Sequence, residues 1–108
     1  MSEALVYRFA WDPVKAHANV RKHGVTFQRA TLVFRDPFAV SVYDAEHSET
    51  EDRWATLGLT ADHEYLVVIH TWTDLSINEV TVRVISAQPA TNAEITQYQS
   101  APHARLKE

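Results

Sequence analysis

The sequence predicts an α+β domain in which two helices precede a run of antiparallel strands and a short helix closes the chain. Three observations carry this expectation. Two early segments begin with a capping residue and end in a helix stop, residues 38–86 hold short strand-like runs between turn signals, and a T-x-x-E stands near the end. Residues 4–10 (ALVYRFA) read as a first strand. Asp12 then caps a helix with Pro13 at its first position, and Gly24 is the residue expected just past its last turn. Thr26 caps a second helix, in which Phe27, Ala30 and Phe34 recur at i, i+3 and i+7 until Asp36-Pro37 stops it. FAVSVYD (38–44) alternates at strand period, the loop AEHSETED follows, and RWATLGL (53–59), the turn TADHE and YLVVIHTW (65–72) come next. YLVVIHTW is apolar on both faces, as a central strand is. After the connector TDLSIN, EVTVRVIS (79–86) sets Val80, Val82 and Val84 against Thr81, Arg83 and Ile85. Thr91 and Glu94 form a capping box for a helix running to about Tyr98. The resulting order is β-α-α-β-β-β-β-α, with the helices packed on a curved sheet, residues 1–99 forming one domain and residues 100–108 a frayed tail.

Composition narrows the function. The chain has 108 residues, no cysteine and a net charge of −4. A disulfide scaffold, a thiolate metal site and a cysteine nucleophile are therefore excluded. The longest apolar run, LVVI at 66–69, is far too short to span a bilayer, and a cytoplasmic protein without membrane contact is expected. The negative total argues against a generic nucleic-acid binder, but the charge is unevenly distributed. Residues 8–35 hold six Lys/Arg against Asp12 alone, whereas residues 36–64 hold eight acids against Arg53 alone. One face can be locally positive on an acidic molecule.

Several residues could carry chemistry. Lys15, Asn19 and Lys22 lie on one helical stripe at i, i+4 and i+7, a row suited to a phosphodiester backbone. Arg21, Lys22 and His23 also occupy the last turn, where the helix dipole alone favours cations. Arg83 stands among alternating valines, where an arginine is usually paired or at a site. His70, on the neighbouring strand, has a hydrogen-bonded core position as its ordinary reading, and Arg53 could simply neutralise the acidic loop before it. That loop lacks the calcium-loop pattern, and neither a zinc pair nor a G-x-S-x-G serine is present, so no metal or cofactor is expected.

The blocks F-A-W-D-P-V-K-A-H-A-N-V-R-K-H-G-V-T-F, V-F-R-D-P, D-A-E-H-S-E-T-E-D-R-W-A-T-L-G, V-R-V-I-S-A and A-T-x-x-E follow one another from about residue 8 to 98. In this order they resemble the BrnT family of type II toxin–antitoxin ribonuclease toxins. The resemblance implies a RelE-like fold and a metal-independent endoribonuclease that cleaves RNA and inhibits growth. It also implies a BrnA-type ribbon-helix-helix antitoxin, through which alone operator DNA is bound. Carried over onto matching positions, it casts Arg53 and Arg83 as charge stabilisers, His23 or Tyr98 as proton-transfer groups with Glu94 beside them, and Lys15, Asn19 and Lys22 as RNA contacts. The sequence departs from the family pattern after I-S-A, where Gln88, Pro89, Asn92, Ala93 and Ile95 stand at positions that usually include several cations. Fewer cations mean fewer phosphate contacts. An alternative follows, in which the chain is a catalytically weak or inactive co-repressor module that binds the antitoxin.

Overall fold

In a computed structural model, residues 5–101 are described. The chain forms strand β1 (Val6–Ala10), helix α1 (Pro13–His23), a one-turn helix α2 (Phe27–Ala30) running into a 3₁₀ segment (Thr31–Arg35), and strands β2 (Val40–Tyr43), β3 (Trp54–Leu59), β4 (Tyr65–His70), β5 (Thr73–Ser76) and β6 (Glu79–Pro89). Helix α3 (Asn92–Gln99) closes the domain. None of the described helices is long and apolar enough to cross a membrane.

The capping signals act as the sequence predicts. The Asp12 carboxylate accepts from the Val14 N–H, and Gly24 ends α1 at φ 72°, a left-handed conformation that side chains with a Cβ resist. Thr26 caps α2, and Thr91 with Glu94 forms the reciprocal capping box of α3. The second helix departs from expectation: only its first turn is α-helical, and Thr31–Arg35 tightens to 3₁₀. Thr31 Oγ1 donates to the Gln28 carbonyl at 2.7 Å, giving that acceptor a side-chain partner. Val33 then lies so close to β3 that a Cβ added at Gly58 would stand 2.7 Å from its Cβ. Gly58 is what permits this approach.

The six strands form one sheet in the order β1-β6-β4-β3-β2, with β5 also paired to β6. Two features correct the sequence reading. The connector TDLSIN contains β5, a four-residue exposed strand that gives no alternation signal. The sheet is also not wholly antiparallel, since β1 lies parallel to β6, with Val6 opposite Glu79 and Ala10 opposite Arg83. Strand β6 needs its eleven residues because it pairs with β5 over its first half and with β4, from Val84 to Pro89, over its second.

Two apolar clusters flank the sheet. Val25, Phe27, Ala30 and Val33 pack on Leu66, Val68, Val84 and Ala87 on the face that α1 and α2 cover. On the other face, Tyr98 of α3 packs with Leu57 and Val67. Helix α1 joins the first cluster through a narrow face of Ala16, Asn19 and His23, while Val14 and Val20 are exposed. This is why its apolar residues show no clean periodicity. Asn19 is 5% exposed. Its Nδ2 donates to the Val25 and Ala87 carbonyls, each at 2.8 Å, and its Oδ1 accepts from the Ala87 N–H at 3.1 Å.

Replacing Asn19 with alanine leaves three buried backbone groups without their partner. We expect Asn19→Ala to lower unfolding free energy by about 3 kcal/mol. Urea denaturation measures this, and a loss under about 1 kcal/mol, the worth of one ordinary hydrogen bond, would show that the amide is dispensable.

Candidate active site

Strand alternation decides which sequence-predicted residues can meet. Val80, Val82 and Val84 are buried, Val84 within the cluster beneath α1 and α2, so Arg83 projects from the opposite face of β6. The α1 residues cast as RNA contacts or proton-transfer groups therefore do not converge with Arg83: Lys15, Lys22 and His23 belong to a helix on the far face. Lys15 and Lys22 are exposed, and neither has an ion pair among the described residues. His23 is half-buried in the last turn of α1. Asn19, expected as an RNA contact, has its whole amide engaged by backbone and presents nothing to solvent. Two other cations from the N-terminal third are internally paired, Arg8 with Glu79 and Arg29 with Asp62 and Glu64.

The structure does bring Arg53 and Arg83 together. Both guanidiniums reach Oε1 of Glu51, Arg83 in direct contact and Arg53 through Nη2 at 3.5 Å. Arg83 is held on β6 by two bonds to Thr71, whose Oγ1 accepts from the Arg83 N–H at 3.1 Å and whose N–H donates to the Arg83 carbonyl at 3.0 Å. Arg53 enters β3 from the acidic loop, its N–H donating to Ser48 Oγ and its carbonyl accepting from the Asp44 N–H. The hydrogen bond from Arg83 is the main reason that the Glu51 carboxyl sits below its ordinary range, and Arg53 adds to it. Glu51 is thus an ionised oxyanion between two guanidiniums. Arg53 Nε is buried and has no hydrogen-bond partner among the described residues.

Glu51 and Arg83 line a cleft of about 340 Å³ with Asp52, Thr71, Trp72 and Thr81. Arg53 is outside this lining and reaches the shared oxygen from behind. A second cavity, of about 250 Å³, is walled by Trp54, Trp72, His70 and Ser41, so Trp72 belongs to both. Sequence reasoning missed Glu51, Trp54 and Trp72. The signal for Glu51 was its place two residues before Arg53, obscured by the five other acidic or imidazole groups of its loop.

Three proposed proton-transfer or core groups are also placed. Tyr98 is buried, and its hydroxyl donates to Asp36 Oδ2 at 2.6 Å. Burial, with the bond to Asp36, pushes this phenol well above its ordinary range, the wrong direction for a base. Asp36 in turn accepts from the Phe38 and Leu59 N–H groups, so Tyr98 ties α3 to the start of β2 and the end of β3. Glu94 accepts from the Thr91 N–H as half of the capping box, which is a structural use. His70 is buried, as its ordinary reading anticipated. Its Nδ1 faces the Thr71 carbonyl at 2.8 Å and must donate, so Nε2 accepts from Thr56 Oγ1 at 2.6 Å, and Thr56 accepts from Ser41 Oγ at 2.7 Å. Burial lowers the His70 pKa, with the bond to Thr71 opposing it.

Comparisons with known proteins agree with this architecture. Residues 11–94 match the family described as the ribonuclease toxin BrnT of type II toxin–antitoxin systems. The chain is similar to the Brucella abortus ribonuclease toxin BrnT, known from a 1.1 Å crystal structure, with a TM-score of 0.56 and 25% sequence identity. That likeness covers 81% of this chain and 99% of the Brucella chain. No curated protein matches.

A lowered imidazole pKa in the fold means that the unfolded chain binds the proton first as pH falls. The His70 contribution is therefore intact above about pH 6.5 and is lost below it, with a slope approaching 1.4 kcal/mol per pH unit. Urea titrations from pH 7.5 downward measure that slope. His70→Gln should flatten it, and an unchanged slope in the variant would assign the acid sensitivity elsewhere.

Proposed function

The chain belongs to the BrnT family of ribonuclease toxins of type II toxin–antitoxin systems, and we propose that it is itself an RNA-cleaving toxin whose reactive centre is the Arg53–Arg83 pair. The observation that carries this reading is the convergence of both guanidiniums on one carboxylate oxygen at an open cleft. A carboxylate and a phosphate are both oxyanions that guanidinium recognises in its donor plane. Glu51 holds the place of a phosphodiester.

In the reaction, a ribose 2′-oxygen attacks the adjacent phosphorus, the P–O5′ bond breaks, one proton leaves the 2′-hydroxyl and another reaches O5′. Negative charge accumulates on the non-bridging oxygens in between. Preorganised cations at that point are the largest single source of acceleration in such sites. Arg83 faces the cleft and takes the phosphate once Glu51 swings aside, and Arg53, whose Nε has no partner among the described residues, supports from behind. The metal-independent reading is supported by this donor set, because the two guanidiniums supply the positive charge that a cation would otherwise bring. Tyr98 and Glu94 have structural duties, so neither is assigned the proton transfers, and Lys15, Lys22 and His23 are given no contact with the scissile phosphate.

Growth inhibition in the cytoplasm, a RelE-like classification and neutralisation by a BrnA-type ribbon-helix-helix antitoxin that binds operator DNA all belong to the same proposal. They are supported by family membership and by the succession of early helices, central antiparallel strands and final helix. The second reading, an antitoxin-binding co-repressor without catalysis, is favoured by one observation. Gln88 and Pro89 are exposed on the last residues of β6, where cations were expected.

Induction of the chain alone should arrest bacterial growth, and Arg83→Ala should relieve the arrest and reduce RNA cleavage in vitro by about a hundred- to a thousandfold. Equal growth and cleavage by wild type and variant, at matched soluble protein, would leave the co-repressor. Glu51→Gln should act in the opposite sense on binding, tightening affinity for a single-stranded 2′-O-methyl RNA by removing the internal competitor. Weaker binding by that variant would mean that Glu51 positions the arginines rather than occupying their site.

A further inference from the structure

We infer that the cavity between Trp54 and Trp72 is a nucleobase subsite, which receives the base beside the scissile phosphate of single-stranded RNA. The inference rests on the ribonuclease reading and adds how substrate is selected. Its first support is position. Trp72 lines both this cavity and the cleft that holds Arg83, and the two are linked again through Asp52, which accepts from the Tyr43 hydroxyl at 2.9 Å while Tyr43 packs edge-on against Trp54. His70 packs edge-on against Phe34, so the cavity lies on the α2 face of the sheet, and it meets the Arg83 cleft at the Trp72 ring, where a strand whose phosphate lies on Arg83 has a neighbouring base to place.

Chemistry is the second support. The walls are two indoles and an imidazole, with the Ser41 hydroxyl as the further polar group. Every nucleobase presents a π-face to such walls, and each stacked base contributes enough to change affinity roughly ten- to a hundredfold. Ser41 donates to Thr56, because Thr56 must donate to His70, so its oxygen remains an acceptor for an N–H on a base edge.

The third support is preorganisation. Trp72 is only 37% exposed, with its ring edge-on to Tyr7 at 5.9 Å and its Nε1 donating to Asp74 at 3.1 Å; Trp54 stands 5.3 Å from the Tyr43 ring. Rings already fixed lose little freedom when a base enters. A chain of net charge −4 whose Arg8 and Arg29 are internally paired gains less from phosphate contacts than a basic nuclease does, so stacking must carry a larger share of its affinity.

The test uses the whole chain and a short single-stranded 2′-O-methyl RNA, which lacks the attacking hydroxyl, together with the same probe made abasic at each position in turn. Wild type should bind the intact probe with quenching of tryptophan fluorescence, and one abasic position should weaken binding about tenfold or more. Trp54→Leu and Trp72→Leu should each weaken the intact probe similarly while leaving the salt dependence of binding unchanged. Arg83→Ala should instead flatten that salt dependence. Because the abasic comparison uses unaltered protein, it stands even if a tryptophan variant misfolds. Cleavage by wild type, with equal binding of intact and abasic probes, would overturn the subsite and leave the ribonuclease. Unchanged probe binding in both tryptophan variants would also overturn it, as expected if the cavity receives a protein partner's side chain. No cleavage and no probe binding would overturn both readings.

Discussion

The fold depends on one buried amide. Strand β1 pairs with β6 only as far as Arg83, and beyond that point no strand among the described residues flanks β6 on that side. Asn19 reaches across from α1 and supplies both a donor and an acceptor to Ala87, as a neighbouring strand would. Its remaining donor closes the turn after α1 through the Val25 carbonyl. A buried peptide group left unpaired would cost more than an ordinary hydrogen bond contributes, so this contact fixes α1 over the second half of β6. With α1 fixed, Phe27, Ala30 and Val33 follow in register onto Leu66 and Val68.

Strand β6 also keeps Arg83 apart from the cations of α1. One of its faces is valine, closed beneath α1 and α2, and the other carries Thr81 and Arg83 beside an open cleft. Cations on α1 are consequently on the wrong side to help Arg83. The second guanidinium comes instead from the residue just before β3, brought in by a loop that also delivers Glu51. An acidic loop thus serves a cationic site. It keeps two like charges together in the absence of substrate, with a carboxylate that remains ionised because both arginines favour that form.

Buried polar groups elsewhere in the domain act as ties. Asp36 collects Tyr98, Phe38 and Leu59, joining α3 to two strands. His70, Thr56 and Ser41 form a hydrogen-bonded row across β4, β3 and β2 that ends at the edge of the sheet. Both would pass as candidate catalytic groups in a list of residue types. Their geometry shows that each proton already has a place.

Local chemistry was legible in the sequence. Asp12, Pro13 and Gly24 bound α1, Thr26 opens α2 and Thr91 with Glu94 opens α3, because capping depends on residues within one turn of each other. Alternation found β2 and β6, a run apolar on both faces found β4, the loop and turn around it found β3, and the family resemblance was already visible in the order of its blocks. Only the tertiary structure decided the rest. Strand β5 has no buried face to impose a period, β1 is parallel to a strand more than seventy residues away, and Asn19 turns inward to pair the backbone of Ala87, which no strand among the described residues flanks on that side. The pairing of Arg53 with Arg83 through Glu51 was likewise beyond the sequence. Which side chains face one another across a sheet is fixed by strand register, and register is set by packing over the whole domain rather than by neighbours along the chain.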